Sequence, residues 1–334
     1  MQDCCNDHQD CAQKETRVPT RVLDIGSKTI KLLSSTGKAG RYCALSHCWG
    51  SASHSPPRTT KANLESNQSK IEESSLSKTF RDAIVLARHF SIQYIWIDSL
   101  CIIQDDKEDW AKESSNMASI YENAYFVIAA TQAEHGGIGC FSPRPPPSVS
   151  LCLNVAQANG EFAPIYIREK NDHRPFNPLA AYKARADQRY PLLSRAWCLQ
   201  ERLLATRLIH FSREELFWEC RTTTLCECRS LISHEESSYE NQIGFKRRWA
   251  MNRGLRELFD LWHKTLQLYS SLDITYESDR LPALLGLANQ LQERGCGEYI
   301  HGLWKENLFA DLIWRTSTRG TRPKEWKAPS WSWA

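Results

Sequence analysis

The fold of this chain is decided by residues 94–106, which read YIWIDSLCIIQDD. The first four of these residues are bulky, apolar and partly β-branched, as in a strand buried at the centre of a sheet. The apolar run stops at Asp98, and a cluster of polar groups follows it. Because ligands of open α/β sheets bind beyond the carboxyl ends of the strands, we expect this strand to end at a site.

The sequence on both sides of this stretch alternates between strand and helix patterns. The spacing of apolar residues predicts strands over residues 42–46, 94–97 and 124–130, and helices over 78–90 and 107–122. This order predicts right-handed crossovers and a parallel sheet. We therefore predict an α/β fold with a largely parallel central sheet flanked by helices. In the second helix, Asp106 is the expected N-cap, and four residues are expected to face inward: Trp110, Met117, Ile120 and Tyr121.

Composition along the chain suggests four regions. Residues 1–40 are expected to be a leader with short strands, and 41–142 the α/β core. Residues 143–240 are expected to hold a Pro-rich linker and a strand and helix extension packed on that core, because the run SPRPPPS at 142–148 continues neither element. Residues 241–334 read as a helical C-terminal region, with helices over 281–294 and 303–314 and with Lys246 at a solvated helix start.

Charge and cysteine usage exclude several classes of protein. The chain has 42 Lys and Arg against 39 Asp and Glu, giving a net charge of +3 without a long basic run, which argues against a nucleic-acid-binding protein. No apolar stretch has the length of a membrane span, and the first residues lack the pattern of a secretion signal, so a cytoplasmic location is expected. The 13 cysteines are expected to be reduced and mostly buried.

Four segments together resemble the fungal heterokaryon incompatibility (HET) domain family. They read YCALSHCWG at 42–50, TFRDAI at 79–84, WIDSLCIIQDD at 96–106 and RAWCLQER at 195–202. The resemblance implies a role in fungal non-self recognition, in which fusion of incompatible cells triggers a death response. HET domains are also remotely similar to TIR domains, which have a flavodoxin-like fold and in some cases cleave NAD. NAD is thus a possible substrate implied by the resemblance, and no cofactor is otherwise indicated.

The ends of the predicted strands suggest where a site would lie. Asp98 and the segment at 46–50 both follow parallel strands, so they are expected to share one edge of the sheet. We predict Asp98 as a catalytic residue there, although it could instead cap the backbone amides that follow it. The residues predicted to bind a ligand are Ser46, His47, Trp49, Gly50, Cys101, Gln104, Asp105, Arg195, Gln200 and Arg202.

Glu113 is the second predicted catalytic residue. Its spacing from Trp110 resembles the spacing that carries the catalytic glutamate of NAD-cleaving TIR domains. A carboxylate of this kind stabilises the positive charge that develops as a glycosidic bond breaks. The helix dipole alone would also favour an acid near a helix start.

Thiol and metal chemistry are weaker alternatives. Cys48 lies next to His47, but neighbouring residues on a strand point to opposite faces, so a thiol mechanism needs a turn between them. Two groups of residues have side chains of the types that bind zinc. The first group is Cys5, His8 and Cys11, and the second is Cys220, Cys226, Cys228 and His234. Neither group has the paired spacing of a zinc knuckle, so we predict buried thiols and no metal.

Three functions remain open from the sequence. The first is a death-inducing effector that cleaves NAD or a related nucleotide. The second is a non-enzymatic module that signals by assembling with itself or with other incompatibility or signalling proteins. The third is a HET scaffold recruited to another small-molecule reaction.

Overall fold

A computed structural model describes residues 1–12, 16–35, 37–141, 150–158, 160–168, 173, 190–228, 246–247, 249–251, 254–316 and 328–334. The strands in these residues are β1 (Arg21–Asp24), β2 (Lys31–Ser34), β3 (Tyr42–Ser46), β4 (Tyr94–Trp96), β5 (Phe126–Ala129), β6 (Ser150–Ala156), β7 (Phe162–Arg168), β8 (Arg207–Phe211), β9 (Leu216–Cys220), β10 (Thr224–Cys226), β11 (Tyr299–Ile300) and β12 (Leu303–Trp304). The described α-helices are α1 (Gln2–Asp7), α2 (Leu64–Ser69), α3 (Lys78–His89), α4 (Asp98–Cys101), α5 (Lys107–Asn123), α6 (Ala196–Leu204), α7 (Leu255–Tyr269), α8 (Pro282–Leu291) and α9 (Leu308–Asp311).

Eight strands form the central sheet in the order β10-β9-β8-β5-β3-β4-β1-β2. The four strands at its centre, β8, β5, β3 and β4, run parallel to one another. Antiparallel pairs complete both sides of the sheet, with β1 and β2 beyond β4, and β9 and β10 beyond β8. The predicted α/β class with a parallel sheet centre is confirmed.

Local sequence explains the two helices that cross over between the central strands. The Ser77 hydroxyl caps α3 by accepting from the Phe80 amide, and Asp106 caps α5 by accepting from two amides, as predicted. Met117, Ile120 and Tyr121 face the core, also as predicted. The inward placement of Trp110 is wrong, because its side chain is 37% exposed one helical turn after the cap.

A second core lies between α5 and the C-terminal helices. Helix α6 packs on α5, and α8 packs on both of them. The predicted helix over 303–314 is wrong, since this segment begins with β12 and continues in two short helical turns. The reason lies in Gly302, whose φ of 97° turns the chain tightly between β11 and β12.

Lys246 is buried, against the sequence expectation of a solvated helix start. Burial lowers the pKa of its ammonium group to about 8, although the nearby Glu219 opposes that effect. Among the described residues the Nζ atom has no hydrogen-bond partner. The position is therefore part of a buried ionic cluster around Glu219.

No helix in the described ranges has the length and apolar character that crossing a membrane requires.

Candidate functional site

The parallel pairing of β3 with β4 brings the predicted site together. Their register places Ala44 opposite Trp96, so the residues that leave the two strands emerge at the same edge of the sheet. His47 follows β3 directly, and Asp98 begins α4 one residue after β4. The expected convergence of the two strand ends is therefore observed.

The Asp98 carboxylate is the centre of this edge. Its Oδ1 accepts from His47 Nε2 at 2.9 Å and from the Ser99 amide at 2.7 Å, while Oδ2 accepts from Trp49 Nε1 at 2.8 Å. Burial opposes ionisation, but the charge of His47 and these hydrogen bonds outweigh it and hold the pKa of Asp98 below its usual value. The side chain is still 20% exposed, so an ionised oxygen is accessible from outside.

His47 is held in one orientation by groups on three sides. Its ring packs edge-on against Phe80, with centroids 5.0 Å apart. Nδ1 faces the Cys48 carbonyl at 3.2 Å, and Nε2 faces Asp98. Both ring nitrogens therefore face oxygen acceptors, which fixes the plane of the imidazole.

Gly50 is required by the turn that carries Trp49. Its φ is 78°, and a Cβ atom there would lie 2.6 Å from the Cβ of His135. A side chain would therefore push the turn off the His135 loop and displace the Trp49 indole.

A second acid, Glu201, joins the site from α6. It is 5% exposed, and its Oε2 has no hydrogen-bond partner in the described part of the chain. Burial raises the pKa of Glu201 to about 7 against a hydrogen bond from Ser46, and the charge of Asp98 adds to the rise while His47 and Arg195 oppose it. The pKa of Asp98 is thus lowered and that of Glu201 raised at one edge of the sheet, a pattern by which two carboxyl groups take different roles in a reaction.

Sequence reasoning did not assign Glu201 to the site. The motif RAWCLQER at 195–202 predicts a polar helix face that joins the second region of the chain to the first through ion pairs. One signal for Glu201 was present in the sequence. The residue lies in a segment that resembles the HET family, and no basic residue one turn away on the same helix could pair with it.

Arg195 and Ser46 complete the group. Burial opposes the charge on Arg195, but the nearby thiols of Cys198 and Cys48 and the carboxylates of Glu201 and Asp98 raise the pKa of its guanidinium. Ser46 is the last residue of β3, and its hydroxyl lies 3.8 Å from Cys198 Sγ. A cation that is only partly buried stands beside both acids, where it could hold an anionic ligand.

Glu113 lies in a different environment from the one that the sequence suggested. It is the seventh residue of α5, not part of the first turn, and its side chain is 2% exposed. Its Oε1 is 4.0 Å from Arg21 and has no hydrogen-bond partner among the described residues. It lines an open groove of about 460 Å³ together with Tyr42 and the segment at 16–20. Within the described residues, no hydrogen bond or ion pair joins Glu113 to Asp98, His47 or Trp49.

The remaining predicted residues divide between the edge and the interior. Gln104 stays at the edge, where its Nε2 donates to the carbonyls of Asp98 and Ile102. Asp105 is exposed and accepts a hydrogen bond from the Lys61 amide, so it stabilises the loop that contains Lys61. Arg202 points away from the site and pairs with Glu219.

Gln200 and Cys101 are also buried and contribute to packing. Gln200 Oε1 accepts from the Gly286 amide at 2.9 Å and joins α6 to α8. Cys101 is 1% exposed, and burial raises the pKa of its thiol to about 12. Burial likewise raises the pKa of Cys48 to about 11. Thiols that stay protonated at neutral pH do not favour a cysteine nucleophile.

Two groups of metal-ligand types lie away from this edge. One consists of Cys4, His8, Cys11 and Cys220, and the other of His173, Glu215, Cys226 and Cys228. The first group differs from the sequence expectation in two ways: Cys4 takes the place of Cys5, and Cys220 is added. Cys220 belongs with the N-terminal group and not with Cys226, and His234 lies outside the described residues. All 13 cysteines are described, and none of them forms a disulfide bond.

Residues 42–201 match the family described as Heterokaryon incompatibility protein (HET). The chain carries a HET domain. A search of curated proteins and a search of solved structures returned no match. The matched residues begin at β3 and end at Glu201, so the family match spans both acids and Arg195.

Proposed function

We propose that this HET domain is a death-inducing effector of heterokaryon incompatibility that hydrolyses the N-glycosidic bond of NAD or a related nucleotide at the edge formed by Asp98 and Glu201. The observation that carries the proposal is the pair of carboxyl groups whose pKa values are shifted in opposite directions within one site. The proposal includes the cytoplasmic location that the sequence suggests, where NAD is available, and action together with other incompatibility proteins.

Each group has a distinct part in this reaction. As the bond between ribose and nicotinamide breaks, the electron pair leaves with neutral nicotinamide and positive charge develops on the ribose. Ionised Asp98, fixed by His47 and Trp49, stabilises that charge. Ionised Glu201 takes a proton from the attacking water, so the products are ADP-ribose, nicotinamide and a proton. Arg195 would hold the pyrophosphate.

Product analysis tests the reaction directly. Purified protein incubated with NAD is expected to release nicotinamide and ADP-ribose in equal amounts, as followed by liquid chromatography. Both the freshly purified protein and a concentrated, assembled sample should be assayed. The absence of nicotinamide release from both, above a heat-denatured control, would contradict the proposal.

The pH dependence of the rate follows from Glu201. Burial raises the pKa of this base to about 7, so the ionised fraction grows as the pH rises through that value. The turnover rate is expected to increase tenfold for each pH unit below about 7 and to level off above it. A rate measured from about pH 5 to about pH 9 that shows no such rise would remove Glu201 from the base role.

A second candidate function, signalling by self-assembly, is favoured by the hairpin of β6 and β7. Within the described residues its two strands pair with each other and not with the central sheet. The register places Leu151 opposite Ile167 and Leu153 opposite Ile165, so the apolar side chains share one face. Each of these four side chains is between 42% and 50% exposed. A lone two-stranded hairpin is marginally stable, so an apolar face of this kind suits pairing with a second copy of the chain.

Charge placed on that face should separate the two functions. The double variant Leu153→Lys with Ile165→Lys is expected to abolish concentration-dependent assembly in sedimentation experiments and to abolish cell killing if assembly signals. Asn154→Lys, which adds charge to the opposite face of the same hairpin, is the matched control. Assembly that persists in the double variant would count against the hairpin as the contact.

A further inference from the structure

We propose that Cys4, His8, Cys11 and Cys220 bind a structural zinc ion. One ligand atom from each residue lies within 4.8 Å of the others. Cys4, Cys11 and Cys220 are 3%, 0% and 3% exposed, and His8 Nδ1 lies 3.4 Å from Cys220 Sγ. Three thiols and an imidazole that face one another in the interior form a donor set of the Cys₃His type.

The spacing of these atoms suits a tetrahedral ion. Zinc bonds of about 2.3 Å to sulfur and about 2.0 Å to nitrogen place the ligand atoms of a tetrahedron about 3.5–3.8 Å apart. Small side-chain rotations bring the present atoms to that separation. Binding replaces the three S–H protons by one Zn²⁺ ion, so three protons are released and the site carries one net negative charge.

Neighbouring groups are placed to support that charge. The Thr223 amide donates to Cys220 Sγ at 3.3 Å, and Thr222 Oγ1 lies 3.7 Å from Cys11 Sγ. The Arg207 guanidinium donates to the Cys11 carbonyl at 2.6 Å and so brings a cation to the site. Hydrogen bonds to ligand sulfurs and a nearby cation stabilise thiolate ligands.

The fold gives the ion a definite task. Cys4 lies in α1, His8 is the residue that follows the helix, Cys11 ends the next helical turn, and Cys220 ends β9. A six-residue helix is too short to be stable alone. A shared ion would clamp this N-terminal segment to a sheet strand that lies more than two hundred residues later in the sequence.

Cys5 supplies a matched control. Its Sγ faces the Tyr125 hydroxyl at 3.5 Å, and it does not belong to the group around Cys4. The group of His173, Glu215, Cys226 and Cys228 has similar chemistry, but there His173 Nε2 and Glu215 Oε1 already pair at 2.7 Å. The proposal is confined to the N-terminal site.

Metal analysis of the full chain, purified without chelator and supplied with Zn²⁺, tests the site. We expect Cys11→Ser to contain one zinc ion fewer per chain than the wild type, and Cys5→Ser to match the wild type. Equal zinc content in all three proteins, or a wild type that does not retain zinc through gel filtration, would overturn the assignment.

A spectroscopic measurement keeps the test independent of how well the serine variant folds. Wild-type protein loaded with Co²⁺ should show thiolate-to-metal charge transfer and the intense visible bands of tetrahedral cobalt. Cys11→His, which supplies another zinc ligand, should retain the metal with a weaker charge-transfer band. A Co²⁺ spectrum without thiolate bands, or one identical in the wild type and Cys11→His, would contradict the site.

Discussion

Replacing Asp98 with asparagine is expected to lower the rate of nicotinamide release by about 100-fold to 1000-fold. Asparagine keeps the size of the side chain and an acceptor for Trp49, but it removes the negative charge that faces the developing positive charge on the ribose. It also removes the negative charge that His47 Nε2 faces at 2.9 Å. The measurement is the initial rate of release at saturating NAD.

The control for this variant is Asp260→Asn, which removes an exposed carboxylate from α7. Its rate is expected to equal that of the wild type. Thermal unfolding of both variants separates loss of chemistry from loss of structure. An Asp98→Asn protein that is folded and within a few-fold of the wild-type rate would exclude Asp98 from the reaction.

Replacing Glu219 with glutamine is expected to lower the free energy of unfolding by about 3–5 kcal/mol. This carboxylate is 3% exposed and is surrounded by basic side chains: it accepts from Arg202 Nε at 2.8 Å, lies 3.3 Å from His210 Nε2 and faces Lys246. Without its charge, the partly buried Arg202 and the buried Lys246 repel each other in a region of low dielectric constant. Urea unfolding at neutral pH measures the loss.

The pH dependence of stability provides an internal check on Glu219. Burial opposes its ionisation, but Arg202 and His210 hold the pKa of the folded state well below 4.5. Its contribution is therefore complete above about pH 4.5 and is lost as the pH falls through the folded-state pKa. The glutamine variant should lack this acid-dependent loss. The exposed Glu65→Gln should stay within about 0.5 kcal/mol of the wild type, and an equally small effect at Glu219 would contradict the account.

Local sequence was sufficient to predict the parts of the fold that depend on periodicity and capping. The apolar run before Asp98, the cap at Asp106 and the stripe of α3 each have a local cause, and the strand ends therefore indicated where His47 and Asp98 meet. The HET resemblance is confirmed by the family match.

Long-range packing determines the features that local sequence patterns did not predict. Glu201 enters the site because α6 packs on α5 beside the end of β3, and the motif that contains Glu201 does not say against which strand it packs. Lys246 is buried near the Glu219 carboxylate of β9. The three basic residues at 246–248 instead predict a side chain exposed to solvent. The group at Cys4 combines three residues near the N-terminus with Cys220 of β9. Spacing along the sequence could not show that these residues meet.

The central claim is that the glutamate of the Asp98 site, Glu201, carries the chemistry, and that Glu113 in its separate groove does not. The most direct measurement compares nicotinamide release by folded Glu201→Gln and Glu113→Gln proteins under the same conditions. We predict a loss of at least about 100-fold for Glu201→Gln and a rate near that of the wild type for Glu113→Gln. Loss of release in Glu113→Gln with full activity in Glu201→Gln would contradict the assignment of the site.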